Sequence, residues 1–332
     1  MDEVQFRKLV KENPVQPIYF LYGEEPFFID RLGAFIIEQT VDPAMRDFNF
    51  STLYGKEVDS KQVLDMVMRF PMMAEYHVVQ LKEAHQLRDF SELLPYIASP
   101  LDTTVFIIEY KRKPDGRTRI FQQLRKLKTA FESKNVRDYQ ISGWIEKYCR
   151  EHDWKIEPRN AHLLGEHLGT DLQKIANELD KVMLNKSGDT TITADDIEKY
   201  VGISKDYNVF ELQKAIGMRD EAGAARIASV MAANERDFSP VMIVSVLFSY
   251  FVKIYKFHFL KSASPAEIQR SLGIPPFFIR EYQEVSKNYS PARCEKIFDI
   301  LYTYDLRSKG IDYLHAGSGE LIKELVFNIM DR

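Results

Sequence analysis

The chain has 332 residues, of which 45% are hydrophobic and 28% are charged, a composition typical of a soluble globular protein with two or three domains. Its formal net charge of −4 and its isoelectric point of about 6.0 exclude a global positive field of the kind that attracts nucleic acids or anionic membranes. The acidic, polar N-terminus predicts no secretory signal, and two distant cysteines, Cys149 and Cys294, favour a reducing compartment, so we expect a cytoplasmic protein.

Strand-like and helix-like patterns alternate over residues 1–141. The predicted strands are 18–22, 48–53, 77–81, 104–109 and 136–140. Between them, residues 27–39 and 60–70 carry apolar side chains at helical spacing. This alternation predicts an α/β domain in which helices cover the faces of a parallel sheet.

The segment after the first predicted strand has the outline of a phosphate-binding loop. The strand leads through Gly23 into an amphipathic helix, yet the second Gly, the Lys and the Ser or Thr of G-x-x-x-x-G-K-[ST] are absent. A phosphate cradle needs open backbone N–H groups and a Lys, whereas Glu24 and Glu25 would repel a triphosphate. The segment is therefore either a degenerate nucleotide loop or an ordinary strand-turn-helix unit.

Residues beyond 141 carry helical patterns, so we expect an all-α remainder. Four short helices are predicted between 142 and 201, with capping signals at Thr170/Gln173 and Thr193/Asp196. Later helix starts are predicted where a Ser cap precedes Pro, at Ser239-Pro240, Ser264-Pro265 and Ser290-Pro291. We predict domains at 1–141, 142–205 and 206–332, with a linker at 202–208. The most apolar run, 241–252, ends before two lysines and is shorter than a membrane span of roughly 20 residues, so it predicts a buried helix and no membrane contact.

Apolar residues fall on a predicted turn at the end of the 60–70 helix. Pro71 disfavours helical geometry at Phe70, so Phe70, Met72 and Met73, here called the hydrophobic turn, lie between this helix and the third strand. One interpretation is that Phe70 and one Met fold back into the core, as apolar residues at a helix end often do. The other is a protruding hydrophobic tip.

Residues 111–137 form a basic island in an acidic protein. Its cations are Lys111, Arg112, Lys113, Arg117, Arg119, Arg125, Lys126, Lys128, Lys134 and Arg137. A run of this kind is often only a solvated surface. The functional alternative is contact with DNA phosphates or with an acidic surface of another subunit, for which the first five residues are the candidates.

Four motifs occur in a characteristic order: YGEEPF at 22–27, DLQKIANELDK at 171–181, GIPPFF at 273–278 and DLRSKG at 305–310. In order and spacing they resemble the delta-subunit family of bacterial DNA polymerase III clamp loaders over essentially the whole chain. The resemblance implies an AAA+-like domain with a five-stranded parallel sheet, a small helical lid domain and a C-terminal helical collar domain that forms oligomers.

The same resemblance implies a function in DNA replication. Family members are non-catalytic subunits of a DNA-directed DNA polymerase holoenzyme, a transferase, and they open a sliding clamp with a hydrophobic wedge so that the ring can be loaded onto primed DNA. The wedge positions correspond to Phe70, Met72 and Met73, although a Leu-Phe pair is common where this chain has two methionines. The implied partners are the sliding clamp, AAA+ ATPase subunits bound through the C-terminal domain, and primer-template DNA.

The third predicted strand ends without the acidic pair that an active ATPase places there to hold Mg²⁺. This chain has Lys82-Glu83, and an ammonium group cannot ligate Mg²⁺, which takes oxygen donors. We therefore expect neither useful ATP binding nor hydrolysis, and no cofactor.

Two histidines lie close together in the sequence but do not form a zinc motif. His162 and His167 are five residues apart, whereas a spacing of four places two metal ligands on the same face of a helix, so we expect no zinc site. The rival functions are an active ATPase or nucleotide kinase with a divergent P-loop, and a helical scaffold in repair or recombination.

Overall fold

The computed structural model describes residues 2–202, 208–234, 238–311 and 318–331. The chain folds into two compact units, an N-terminal unit at 1–136 and a C-terminal unit at 137–332. Most of the predicted linker, residues 203–207, lies outside the described residues. A further boundary near residue 205 stays a prediction.

The N-terminal unit is built on a parallel five-stranded sheet in the order β2-β3-β4-β1-β5, which confirms the predicted α/β architecture. The strands are β1 (Ile18–Gly23), β2 (Phe50–Tyr54), β3 (His77–Lys82), β4 (Thr104–Tyr110) and β5 (Ala130–Ser133). The helices are α1 (Glu3–Glu12), α2 (Pro26–Thr40), α3 (Arg46–Asn49), α4 (Ser60–Val67), α5 (Leu94–Ala98) and α6 (Arg119–Leu124). Short 3-10 turns lie at Pro43–Met45, Ala84–Gln86 and Phe90–Leu93.

Alternate residues of each strand enter two separate cores, because side chains of a strand point to opposite faces. On one face, Ile18 and Phe20 pack with α4, α5 and α6. On the other, Tyr19 and Leu21 pack with α1 and α2. Both faces of the sheet are therefore covered, as expected for parallel strands.

Two predicted strands differ from the structure. The predicted strand at 136–140 is wrong: Gln140 accepts a hydrogen bond from the Arg137 N–H, and this cap starts a helix at Asp138. The fifth strand is instead β5, which pairs with β1 and carries a weak sequence signal because Phe131 is its only large apolar residue. The second strand begins at Phe50, not at residue 48, since residues up to Asn49 complete α3.

Where the structure describes it, the C-terminal unit is helical apart from a two-residue parallel pair, β6 (Lys155–Ile156) with β7 (Thr191–Ile192). Its first helices are α7 (Asp138–Glu151), α8 (Pro158–Leu168), α9 (Leu172–Asn185) and α10 (Ala194–Val201). The remainder are α11 (Val209–Gly217), α12 (Glu221–Ala233), α13 (Pro240–His258), α14 (Pro265–Leu272), α15 (Ile279–Asn288), α16 (Pro291–Ser308) and α17 (Ser318–Met330), with a 3-10 turn at Pro276–Phe278. Helices α11–α17 share one apolar core.

Most predicted helix caps are confirmed. Ser239, Ser264 and Ser290 each accept a backbone hydrogen bond at the start of a helix, and Thr193 caps α10 in the same way. The Thr170/Gln173 signal is wrong by one residue. Asp171 is the cap of α9, because its carboxylate accepts from the Lys174 N–H at 3.0 Å and so satisfies an otherwise free donor.

Helix α13 contains the most apolar run of the sequence. Within the described ranges it is the one helix that is long and apolar enough to cross a membrane by length and composition. Ile243, Leu247, Phe251 and Ile254 are nevertheless fully buried against the other helices of the C-terminal unit. A core helix of a soluble domain satisfies the same criteria, so these contacts favour the predicted buried helix.

Candidate functional site

The hydrophobic turn lies on the protein surface. Helix α4 ends at Val67, and the following residues lead through Pro71 to β3. The exposed fraction is 79% for Phe70, 60% for Met72 and 91% for Met73. The alternative in which Phe70 and one Met fold into the core therefore does not describe this chain.

The backbone of the hydrophobic turn is held by a residue that sequence analysis missed. Asn49, at the end of α3, is only 4% exposed. Its Oδ1 accepts a hydrogen bond from the Met72 N–H at 2.7 Å, and its Nδ2 donates to the Met72 carbonyl at 2.8 Å. The turn thus presents exposed apolar side chains on a main chain that is held by hydrogen bonds at Met72.

Further contacts fix the helix that leads into the turn. The Val67 carbonyl, at the end of α4, accepts hydrogen bonds from Thr104 Oγ1 at 2.9 Å and from the Tyr96 hydroxyl at 3.4 Å. Met73 has a φ of 54°, in the left-handed region that residues other than glycine rarely occupy. Two other large apolar side chains are also exposed: Phe48, which precedes Asn49 in the sequence, and Met68, which follows Val67.

The loop after β1 is closed, not open as a phosphate cradle must be. The Ser133 carbonyl accepts from the Glu24 N–H at 3.1 Å, and the Ser133 hydroxyl donates to the Glu25 carbonyl at 2.6 Å. A Cβ on Gly23 would come within 1.9 Å of the Ser133 carbonyl oxygen, and Gly23 has a φ of 137°. Glycine is therefore required here for close packing of β1 on β5.

The N-terminus of α2 is already occupied by a carboxylate of the chain. The first residue, Pro26, has no N–H, and the Phe27 N–H donates to Glu25 Oε1 at 3.2 Å. Helix N-termini attract anions through free N–H groups and the helix dipole. Here Glu25 takes the place that a phosphate would need.

An ammonium group occupies the acidic cluster at the carboxyl end of β3 and β4. Lys111 Nζ lies 2.8 Å from both Asp30 Oδ1 and Glu83 Oε1, and the Lys111 side chain is only 16% exposed. Burial alone would lower the pKa of Lys111, but the hydrogen bonds to the two carboxylates outweigh it and the pKa is raised. Lys111, predicted as part of a free basic surface, is therefore engaged inside its own unit.

A buried carboxyl lies next to this cluster. Glu109 on β4 is fully buried, and its Oε1 accepts from Gln80 Nε2 at 2.5 Å. Its Oε2 has no hydrogen-bond partner among the described residues. Burial raises the pKa of Glu109 to about 7. Sequence analysis missed this residue because a single Glu in an apolar strand gives no distinctive pattern.

The rest of the basic segment is exposed. Arg112, Lys113, Arg117 and Arg119 follow β4 on the surface, and Arg117 is paired with Asp115 at 3.1 Å. The remaining cations of the segment are exposed as well; they are Arg125, Lys126, Lys128, Lys134 and Arg137. The segment therefore offers a cluster of solvated positive charge.

Of the two histidines considered as zinc ligands, His162 packs against aromatic rings, whereas His167 is exposed. The His162 ring contacts the rings of Phe210 and Phe278, with centroids 5.3 and 4.6 Å apart. Burial, with a smaller contribution from Lys253, lowers the pKa of His162 to about 4. Across the described ranges no group of three or more His, Cys, Asp or Glu residues is arranged to hold a metal ion.

Comparison with known proteins gives consistent matches along the chain. Residues 19–134 match the family model for the DNA polymerase III delta subunit, and residues 206–316 match the model for the C-terminal domain of that subunit. The chain is 24% identical over 315 residues to the DNA polymerase III subunit delta of Bacillus subtilis, covering 91% of this chain and 90% of the relative. It also resembles the solved structure of the Bacillus subtilis DNA clamp loader delta protein, with a TM-score of 0.57, 22% identity and full coverage of both chains.

Proposed function

The chain belongs to the family of DNA polymerase III delta subunits, and from this membership we propose that it binds the sliding clamp through Phe70, Met72 and Met73 and opens the ring for loading onto primed DNA. The observation that carries the proposal is the exposure of all three side chains on a turn whose main chain is fixed. Large exposed apolar side chains on a rigid support are suited to a hydrophobic pocket of a partner. Methionine adapts to the shape of such a pocket.

Ring opening requires no covalent chemistry from this chain. A ligand shifts an equilibrium only by its differential affinity for two states, so the subunit opens the clamp if it binds the open ring more tightly than the closed one. The side chains of the hydrophobic turn supply the binding energy. In the proposal, the end of α4, which is held by the hydrogen bond from Thr104 to the Val67 carbonyl, contacts the clamp and is compatible only with the open ring interface.

The same subunit is proposed to leave ATP hydrolysis to its partners. The capped N-terminus of α2 and the ammonium of Lys111 between Asp30 and Glu83 support this division, because phosphoryl transfer needs a phosphate cradle and a metal ion. The rival function, an active ATPase or nucleotide kinase, requires Mg-ATP affinity and turnover in the isolated chain. A nucleotide titration that detects both would favour the rival.

The proposed assembly places the subunit in a cytoplasmic replication complex. The match of residues 206–316 to the C-terminal domain model supports a collar that begins near residue 206 and binds the other clamp-loader subunits. Primer-template DNA, or an acidic surface of a neighbouring subunit, is the proposed partner of the exposed cations Arg112, Lys113 and Arg119. In the assembled loader, replacing these three with Gln should weaken DNA binding and reduce its salt dependence, since each phosphate contact contributes a slope of roughly 0.9.

A matched control separates local contact from net charge. Changing Lys8, Lys11 and Lys174 to Gln removes the same charge from exposed positions elsewhere. If both triple variants bind DNA equally, the basic segment does not contact DNA. Weakened loader assembly with unchanged DNA binding would favour the neighbouring subunit.

The clamp-binding proposal is tested by sizing a mixture of the purified chain and its cognate sliding clamp. Wild-type protein should form a complex, and the double variant Met72→Ala/Met73→Ala should weaken it by roughly 1 to 4 kcal/mol, the range for interface anchors. Leu184→Ala is the matched control, because Leu184 is 85% exposed but lies on α9 in the other unit. Clamp binding by the double variant at wild-type strength would contradict the assignment. Absence of any complex with the wild-type chain would favour a helical scaffold in repair or recombination.

A further inference from the structure

We propose that Asn49 is a positioning residue of the hydrophobic turn, which it holds in its clamp-binding conformation before the clamp arrives. The inference rests on the proposed function of Phe70, Met72 and Met73 but concerns a residue that itself touches no clamp. We therefore expect clamp affinity to depend on the buried Asn49 side-chain amide, which lies 23 residues before Met72 in the sequence.

The geometry of the contact is specific to a carboxamide. Asn49 accepts from the Met72 N–H at 2.7 Å and donates to the Met72 carbonyl at 2.8 Å, so both polar groups of one turn residue are satisfied by one side chain. A neutral amide carries donor and acceptor together, whereas a carboxylate can only accept. Asn49 is 4% exposed, so water does not readily replace either bond.

The turn needs such an external constraint. Its next residue, Met73, has a φ of 54°, a conformation that costs a residue with a Cβ free energy relative to extended or helical backbone. Met73 is also 91% exposed and gains little from packing within the chain. The two bonds from Asn49 to the adjacent Met72 therefore stabilise a main-chain path that the exposed turn residues would not maintain alone.

Fixing the turn in advance matters for binding because ordering a flexible segment opposes association. With Asn49 in place, the hydrophobic side chains are presented from a defined backbone, and the clamp is not required to order it. Without Asn49 the turn samples other conformations, and only a fraction of molecules is competent to bind. The apparent affinity falls in proportion to that fraction.

The experiment compares wild type with Asn49→Ala and Asn49→Asp in the full chain. Clamp association and dissociation rates are measured together with hydrogen exchange of the Met72 amide, and thermal unfolding reports folding. Asn49→Ala should bind the clamp roughly 5- to 30-fold more weakly, the effect of one or two lost hydrogen bonds, and its Met72 amide should exchange faster. Asn49→Asp keeps an acceptor for the Met72 N–H but turns its second oxygen toward the Met72 carbonyl, which has lost its donor, so this variant should also weaken clamp binding. The small neutral variant Asn49→Ser replaces the Ala variant if the latter does not fold.

Two further variants, Asn185→Ala and Met72→Ala/Met73→Ala, distinguish failure of the positioning role from failure of the proposed function. Asn185→Ala removes an amide that donates to a backbone carbonyl at 2.7 Å in the other unit, and it should leave clamp binding unchanged. If Met72→Ala/Met73→Ala loses clamp binding but Asn49→Ala binds at the wild-type rates, the positioning role is wrong while the proposed function stands. If the double methionine variant binds normally, the proposed function fails. Unchanged exchange of the Met72 amide in Asn49→Ala would by itself overturn the role of Asn49.

Discussion

Gly33 leaves the space that the carboxyl group of Glu109 fills. A Cβ at position 33 on α2 would lie 2.0 Å from Glu109 Oε1, the oxygen that also accepts from Gln80. The helix thus approaches β4 closely enough to exclude water from an ionisable group. Burial of this kind disfavours the charged form and explains why the pKa of Glu109 rises to about 7.

The first prediction tests this packing. Gly33→Ala should destabilise the N-terminal unit by about 1 to 3 kcal/mol, because the methyl group displaces a hydrogen-bonded carboxyl in a packed core. In a Glu109→Ala background the same change should be neutral or stabilising, since the clash is removed and Ala favours a helix over Gly by roughly 1 kcal/mol. Urea unfolding of the four proteins in this double-mutant cycle measures the coupling. Equal effects of Gly33→Ala in both backgrounds would show that the two residues do not interact.

The second prediction concerns pH. Glu109 has a folded pKa near 7 against an ordinary value of 4.5, so between these values the folded state binds the proton more tightly than the unfolded state. Its contribution to stability is fully present below about pH 4.5 and is lost as the pH rises through 7. Glu109→Gln should abolish this part of the pH dependence and raise stability at pH 8 relative to wild type, by an amount on the order of 3 kcal/mol. Circular dichroism melts at pH 5 and pH 8 give the comparison, and identical pH dependence in the two proteins would contradict it.

The third prediction concerns the internal cation. Lys111→Met leaves Asp30 and Glu83 without the ammonium that bridges them, and charged hydrogen bonds of this type contribute about 1.5 to 3 kcal/mol each before allowance for partial exposure. We expect a loss of about 1 to 3 kcal/mol in the free energy of unfolding by urea. Lys113→Met, at an exposed position on the same loop, is the matched control and should change stability by less than about 0.5 kcal/mol. Equal stability of the two variants would rule out a bridging role for Lys111.

Local patterns predicted local structure well. The helix predicted at 60–70 ends three residues earlier than Pro71 indicated, at Val67. The Ser-Pro pairs indicated the starts of α13, α14 and α16, because caps depend on residues within one turn of each other. The contacts that define the candidate site join distant positions, such as Asn49 with Met72 and Lys111 with Asp30. Such pairs depend on which strands are neighbours in the sheet, and the hydrophobic periodicity of one segment does not show the strand order. The short edge strand β5 was mislocated for the related reason that its pairing with β1, more than its own hydrophobicity, makes it a strand.

The last prediction gives the C-terminal unit a pH response opposite to that of Glu109. His162 is packed against Phe210 and Phe278, and its folded pKa of about 4 is below the ordinary 6.5. The unfolded state therefore binds a proton first, so stability is fully present above about pH 6.5 and is lost as the pH falls toward 4. Both tryptophans, Trp144 and Trp154, belong to this unit, so tryptophan fluorescence follows its unfolding selectively. Between pH 7 and pH 5 the wild-type midpoint in urea should fall, and His162→Gln should remove most of that change. His167→Gln is the control on the same helix, and an equal response in both variants would show that the acid sensitivity arises elsewhere.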